Sequence, residues 1–237
     1  AAGKRLAVLS NSGKRAVPNA ERIAAMGFEP SLFDVVMTSG EALWRDIAGQ
    51  RVTERVFVTI ERAPGDADGW ADGLDVTVAA PVEDADAVLL MGLPDGASAS
   101  DFAPILDAAL ARGLPVLCTN PDRASPRADG QVVVSPGALA HSYAASGGEV
   151  RFYGKPHRPV FRALETAMGT APDRMIMVGD SLEHDIAGGK QAGWSTLFIE
   201  GGLHAACFGG ADPAAALAAL AASAAAPLPD YAIARLQ

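Results

Sequence analysis

Three short stretches carry side chains suited to holding a phosphate and a hard cation. In "AVLSNSG" (7–13), Ser10, Asn11 and Ser12 follow an apolar run and precede Gly13. A hydroxyl beside converging backbone N–H groups in a Gly-containing turn can cradle an anion without bringing net charge. In "RFYGKPHRP" (151–159), Lys155 lies between Gly154 and Pro156. The proline biases Lys155 away from helix, so it is held extended and projects a fixed positive charge. In "MVGDSLEHDIAGG" (177–189), Asp180 follows an apolar run and Gly179, with Asp185 five residues on. Mg²⁺ takes oxygen ligands, often one or two carboxylates with phosphate and water completing its shell.

Each stretch also has a plainer reading. Ser10 to Ser12 could form a turn that caps the next helix. Lys155, His157 and Arg158 could be solvated loop residues. Ser181 is a good N-cap, and acids such as Glu183 and Asp185 are favourable in a first helical turn. That reading explains Asp180 least well, because a carboxylate at the tip of a buried strand needs a partner. The combination is more telling than any part. A hydroxyl, a lysine and a pair of acids, each just after a strand, suit one phosphate and one metal in an open α/β sheet, whose ligands bind beyond the carboxyl ends of its strands.

The elements that would position these residues alternate along the chain. Strands are expected at 5–9, 35–38, 56–59, 87–91, 115–119, 132–134, 151–153, 175–178 and 196–199. Helices are expected at about 18–26, 40–48, 101–112, 136–146, 159–168, 184–192 and 213–224. This is the pattern of parallel strands joined by crossover helices. "AVLLMG" and "MIMVGD" are apolar without alternation, as strands covered on both faces should be. Residues 61–75 and 120–130, rich in Pro, Gly and Asp, read as surface connections. The Ala-rich stretch 211–226, with Leu217 and Leu220 at helical spacing, reads as a packing helix.

A chain of 237 residues, 49% hydrophobic, can bury a sizeable core. Its net charge of −9 offers no basic excess for nucleic acid or an anionic membrane. No apolar stretch is long enough to span a bilayer and no signal peptide is evident, which points to the cytoplasm. Cys118 and Cys207 have no metal-ligand or redox spacing. Cys118 reads as a small buried hydrophobe. His141 and His204 lie in no acidic or cysteine cluster, and Trp44, Trp70 and Trp194 are too scattered for a stacking platform.

The order of these motifs resembles the haloacid dehalogenase (HAD) superfamily of phosphohydrolases. It fits best the NagD-like class, in which a large α/β cap is inserted between the second and third motifs. "VLSNSGKR" is similar to the second motif, "TSGEA" (38–42) to the segment entering the cap, and "TNPD" (119–122) to a cap loop. "GKP" (154–156) is similar to the third motif and "GDSLEHDIAGGKQAG" (179–193) to the fourth.

The resemblance implies an α/β fold with a Rossmannoid parallel-sheet core, residues 1–41 and 149–237, and a cap at 42–148. It implies a Mg²⁺-dependent phosphatase of small phosphate monoesters, such as nucleotides or sugar phosphates. Ser10, with Asn11 beside it, would bind the phosphoryl group, and Lys155 would neutralise charge on it. Asp180 would ligate Mg²⁺, while Asp185 would bind the metal's water or orient the loop. Asn120 and Asp122 would lie near the leaving group. The cap would choose that leaving group, and a homodimer is left open.

One element of the family pattern is missing. The nucleophile and its acid/base partner form a D-x-D motif on a strand before the second motif, and Ser10 leaves no room for it. The "DAD" runs at 66–68 and 84–86 both follow the second motif. The chain is therefore expected to be a fragment with little activity of its own, its attacking aspartate lying upstream. The absent strand should be central, and its loss would expose apolar edges. A phospho-ligand-binding or regulatory protein, using the same cradle without turnover, is the rival from another class. A nucleotide-binding Rossmann protein is disfavoured, since no G-x-G-x-x-G opens a helix.

Overall fold

The computed structural model describes residues 3–126, 132–210 and 212–236. In chain order the elements are β1 (Ala7–Ser10), α1 (Ala16–Ala25), β2 (Val35–Thr38), α2 (Ser39–Ala48), β3 (Phe57–Ile60), α3 (Asp66–Ala71), β4 (Ala87–Leu90), α4 (Ala103–Ala111) and β5 (Val116–Cys118). They continue through β6 (Ala124–Pro126), β7 (Val132–Val134), α5 (Pro136–Ala145), β8 (Val150–Phe152), α6 (Arg158–Met168), β9 (Ile176–Gly179), α7 (Ala187–Ala192), β10 (Ser195–Ile199), α8 (Pro213–Ser223) and β11 (Tyr231–Ile233). The fold is α/β, and every paired strand runs parallel except the β6–β7 hairpin. The chain divides into two compact units, one through Gly154 and one from Lys155.

In the first unit, β1 pairs with β2, with Ser10 opposite Thr38. A second sheet has the order β3-β4-β5-β8. Ala87, Val88, Leu89 and Leu90 of β4 are all fully buried, as its unalternating sequence predicts for a strand covered on both faces. Val58, Ile60, Val88, Leu90, Val116 and Cys118 of this sheet pack with Leu139 and Tyr143 of α5. The Tyr143 hydroxyl donates to Leu114 O at 2.6 Å, satisfying the polar tip of a buried ring.

The second unit holds a parallel sheet of order β11-β10-β9. Helix α6 turns Val160, Phe161, Leu164 and Met168 inward. The Ala-rich α8 lays Leu217 and Leu220 against Phe198, Leu182 and Ile186, the packing role expected of it. Strand β9 departs from the reading of "MIMVGD" as covered on both faces. Met177 is buried, but Ile176 and Val178 are 50% and 40% exposed. Among the described residues β9 pairs with β10 alone, so it is an edge strand.

Three further elements were not expected. Helix α3 lies inside the stretch read as a loop. Its sequence, DADGWA, is a poor helix former. The Glu61 carboxylate accepts from Gly65 N and Ala67 N, which secures its first turn. Trp70 is then buried with its indole N–H donating to Gly40 O at 2.8 Å. Strand β6 lies in the other presumed loop and pairs with β7, while residues 127–130 of that loop lie outside the described residues. Strand β11 is short and largely exposed, so no hydrophobic run announces it. No helix among the described residues is long and apolar enough to cross a membrane.

Candidate active site

Within the first unit, the chain leaves β1 at Ser10 and enters a tight loop. Ser12 N donates to Ser10 Oγ at 3.3 Å, and Ser12 Oγ accepts from Lys14 N at 3.2 Å and from Asn19 Nδ2 at 3.1 Å. Ser39 Oγ donates to Ser10 O at 3.3 Å, and Thr38 Oγ1 donates to Lys14 O at 2.5 Å. Gly13 makes this possible, because a Cβ there would stand 2.4 Å from the Met91 carbonyl oxygen and 2.9 Å from Thr119 Oγ1. The loop therefore touches the ends of β4 and β5.

That approach brings distant sequence together. Asn11 Nδ2 donates to Asp122 Oδ1 at 2.8 Å across 111 residues of sequence. Asp122 N in turn donates to Asn120 Oδ1 at 3.2 Å. Four of the residues singled out from sequence, Ser10, Asn11, Asn120 and Asp122, thus sit in one neighbourhood. A cavity of about 190 Å³ adjoins them, with Ser12 and Asn120 in its wall.

An ion-pair network the sequence reading missed braces this loop. Arg15 Nε donates to Glu41 Oε2 at 2.7 Å, and Arg45 Nε donates to Glu41 Oε1 at 3.0 Å. The Arg15 guanidinium lies 3.9 Å over the Trp44 ring. Burial alone would raise the Glu41 pKa, but the hydrogen bonds from Arg15 and Arg45 outweigh it and hold the carboxyl below its ordinary value. Thr38-x-x-Glu41 has the spacing of a capping box. Thr38 Oγ1 does accept from Glu41 N, at 2.9 Å, while the Glu41 side chain turns to the arginines instead. Nearby, burial pushes the Cys118 thiol up to about 12, in keeping with a packing role and not that of a nucleophile.

In the second unit, Lys155 Nζ donates to Asp185 Oδ1 at 2.7 Å, and Ser181 N donates to Asp185 Oδ2 at 3.1 Å. The side chains of Lys155 and Asp185 are only 15% and 6% exposed. Gly179 allows Asp185 to fold back over the end of β9. A Cβ at Gly179 would lie 2.2 Å from Asp185 Oδ2. The helix expected to start near residue 184 begins as a π-turn over Leu182–Ile186, then continues as α7. Ser181 caps it, as anticipated, through Oγ accepting from His184 N at 3.2 Å. His184 Nδ1 returns to the same oxygen at 3.0 Å. Arg158 is committed to Glu165 through two bonds of 2.7 and 2.8 Å.

Asp180 stands at the carboxyl tip of β9, where its Oδ2 accepts from Leu203 N at 2.9 Å. Asp180 is the better direct ligand for a divalent cation, having one oxygen with no protein hydrogen bond among the described residues. Both Asp185 oxygens already serve Lys155 and Ser181, so its remaining lone pairs suit a metal-bound water. No group of three or more His, Cys, Asp or Glu fit for a metal occurs among the described residues. Mg²⁺ is compatible with so few carboxylates, since it keeps several waters and shares substrate oxygens.

The HAD-hydrolase-like family model matches residues 152–230. The sugar-phosphatase AraL of Bacillus subtilis (strain 168) is 30% identical over 203 residues, covering 83% of this chain and 71% of that protein. A dihydroxyacetone phosphatase of Corynebacterium glutamicum (strain R) is 31% identical over 91 residues, 38% of this chain and 33% of its own length. The chain thus spans a third of that relative. A hydrolase of the haloacid dehalogenase-like family from Brucella suis 1330 superposes with a TM-score of 0.77 at 28% identity, over 100% of this chain and 84% of that one.

Proposed function

The chain belongs to the haloacid dehalogenase superfamily, among its NagD-like phosphoric monoester hydrolases, and on that footing we propose that it hydrolyses small phosphate monoesters with Mg²⁺ in the cytoplasm. The observation that carries the proposal is the end of β9, where the buried Lys155–Asp185 pair stands in the same unit as the Asp180 carboxylate, whose Oδ2 accepts from Leu203 N. Hydrolases of this family use a divalent metal, and Mg²⁺ bound to Asp180 would offset charge on phosphoryl oxygens.

The roles of this chain's residues follow from their chemistry. Ser10 donates its hydroxyl to the phosphoryl group. Lys155, oriented by Asp185, supplies a fixed positive charge to it. Asn11, held by Asp122, lines the approach, and Asn120 and Asp122 face the leaving group. Phosphoryl transfer to an aspartate, followed by hydrolysis of the aspartyl-phosphate, is the covalent course. No aspartate precedes Ser10 in the sequence, so the proposal takes the attacking aspartate from upstream, as the family pattern has it.

Isothermal titration with inorganic phosphate in Mg²⁺ tests the reading. Binding that weakens on chelation of the metal and in Lys155→Met supports it. Absence of phosphate binding under those conditions would remove it. Tight phosphate binding with no turnover even when an attacking aspartate is supplied would favour a phospho-ligand-binding protein.

A further inference from the structure

The orientation of the Asp180 carboxylate is set by residues well beyond it in sequence. Its Oδ2 accepts from Leu203 N at 2.9 Å, a donor on the loop that follows β10. Gly202 packs against the same side chain, since a Cβ there would stand 2.3 Å from both Asp180 Cβ and Asp180 Oδ2. Any larger residue would push the carboxylate aside. With Oδ2 held, Oδ1 is the oxygen left for a ligand among the described residues. A carboxylate fixed before an ion arrives has less freedom to lose on binding it, so hydrogen bonds to a ligating group raise metal affinity.

The loop is held in turn by β11. Glu200 N donates to Ile233 O at 3.0 Å and Gly201 N donates to Ala234 O at 2.8 Å, which carries the β10–β11 pairing past the end of β10. Gly201 allows this contact, because a Cβ there would lie 2.7 Å from Ala234 O. Strands β9, β10 and β11 run parallel, so the carboxyl end of β11 lies at the same end of the sheet as Asp180.

Little apolar burial secures β11, whose Tyr231 is 61% exposed. Its anchor is polar. Asp230 Oδ2 accepts from Thr196 N at 2.8 Å and from Thr196 Oγ1 at 3.0 Å, and Asp230 N donates back to Thr196 Oγ1 at 3.0 Å. Asp230 Oδ1 accepts from Lys190 Nζ of α7. Thr196 is fully buried, which strengthens these bonds by shielding them from water.

We propose that β11 braces the metal ligand, with Asp230 and Gly202 as positioning residues for Asp180. Asp230 seats the strand on β10, and the end of the strand holds Glu200 and Gly201. Gly202 admits the loop against Asp180, and Leu203 N fixes Oδ2. The inference rests on the phosphatase reading, which makes Asp180 a metal ligand. It adds that β11, which supplies no ligand, governs how tightly the metal is held.

Paramagnetic broadening of amide signals by Mn²⁺, in the isotope-labelled 237-residue chain, is the test. Mn²⁺ suits the same oxygen ligands as Mg²⁺. In the wild type, the signals of Gly179, Asp180, Ser181 and Leu203 should fade at lower Mn²⁺ than those of Glu83, Asp84 and Asp86, an acidic stretch of the first unit. Gly202→Ala and Asp230→Ala should each raise the Mn²⁺ required by about tenfold, the lower end of what the outer-shell partners of a metal are worth. Asp230→Asn keeps an oxygen for Thr196 and should stay within about twofold of wild type. A loss as large in Asp230→Asn as in Asp230→Ala would assign the effect to net charge and overturn the brace. Thr196→Val removes both bonds of the Thr196 hydroxyl with little change of shape, and it reads the same anchor should Asp230→Ala fail to fold. Unchanged Mn²⁺ requirements in Gly202→Ala or in the anchor variant would overturn the brace and leave the phosphatase reading standing. A wild type whose Asp180 signals fade no earlier than the acidic stretch would overturn both.

Discussion

Asp185→Asn keeps the shape of a side chain that is 6% exposed and removes its charge. Lys155, at 15% exposure, then faces a neutral amide at the 2.7 Å contact. Removing one member of a buried pair costs about 3–5 kcal/mol when the other charge is left uncompensated. Two features reduce that figure here. Asn still offers an oxygen to Ser181 N, and the lysine head keeps some hydration. A loss of about 2 kcal/mol from the second unit is expected, which corresponds to amide exchange roughly 30-fold faster wherever exchange requires that unit to open. Hydrogen exchange read by mass spectrometry on peptides covering β9 and α7 measures it directly. Pairing the change with Lys155→Met provides a cycle, in which the double variant should recover part of the loss. Acceleration below about fourfold, or strict additivity in the cycle, would refute the claim that a buried, coupled ion pair holds the end of β9.

Other outcomes follow from the same structure. The folded pKa of Glu41 is depressed from an ordinary 4.5, so its contribution is present above that value and is lost as pH falls through the folded pKa. Thermal melts from about pH 7 downward should show wild type losing more stability on the acid side than Glu41→Gln, which is less stable at neutral pH. Gly13→Ala places a Cβ 2.4 Å from the Met91 backbone oxygen, so it should cost about 1–3 kcal/mol in urea unfolding and weaken phosphate binding. Under native conditions near pH 8, iodoacetamide should label exposed Cys207 and spare Cys118, whose thiol is buried and pushed up to about 12.

How far the sequence predicts the structure depends on where the information lies. Strand β4 was legible because Ala87 to Leu90 form an apolar run with no alternation, a purely local signal. The same signal misled for β9, where exposure of Ile176 and Val178 depends on which strands and helices cover it. Helix α3 was illegible because its anchor is tertiary, the Trp70 indole reaching Gly40. Ser10, Lys155, Asp180 and Asp185 could be named from residue type and place after a strand. The two jobs of Asp185, accepting from Lys155 and from Ser181 N, could not, since they depend on a π-turn that Gly179 allows to fold back. Nor could Arg62, Ser125 and Ser135 be found, because they line one cavity from separate parts of the chain and share no spacing. Glu41 is an intermediate case: its spacing from Thr38 is a local feature, but its arginine partners depend on the fold.

The central claim is that this chain carries the phosphate-binding and metal-binding residues of a hydrolase that works through an aspartyl-phosphate. Phosphate release from p-nitrophenyl phosphate in Mg²⁺ tests it most directly, measured on the chain preceded by an apolar strand that ends in D-x-D. Turnover that needs the metal, and that falls by about 10²–10³ in Lys155→Met and in Asp180→Asn, is the expected result. Equal turnover by the 237-residue chain alone, or unchanged turnover in both variants, would contradict it.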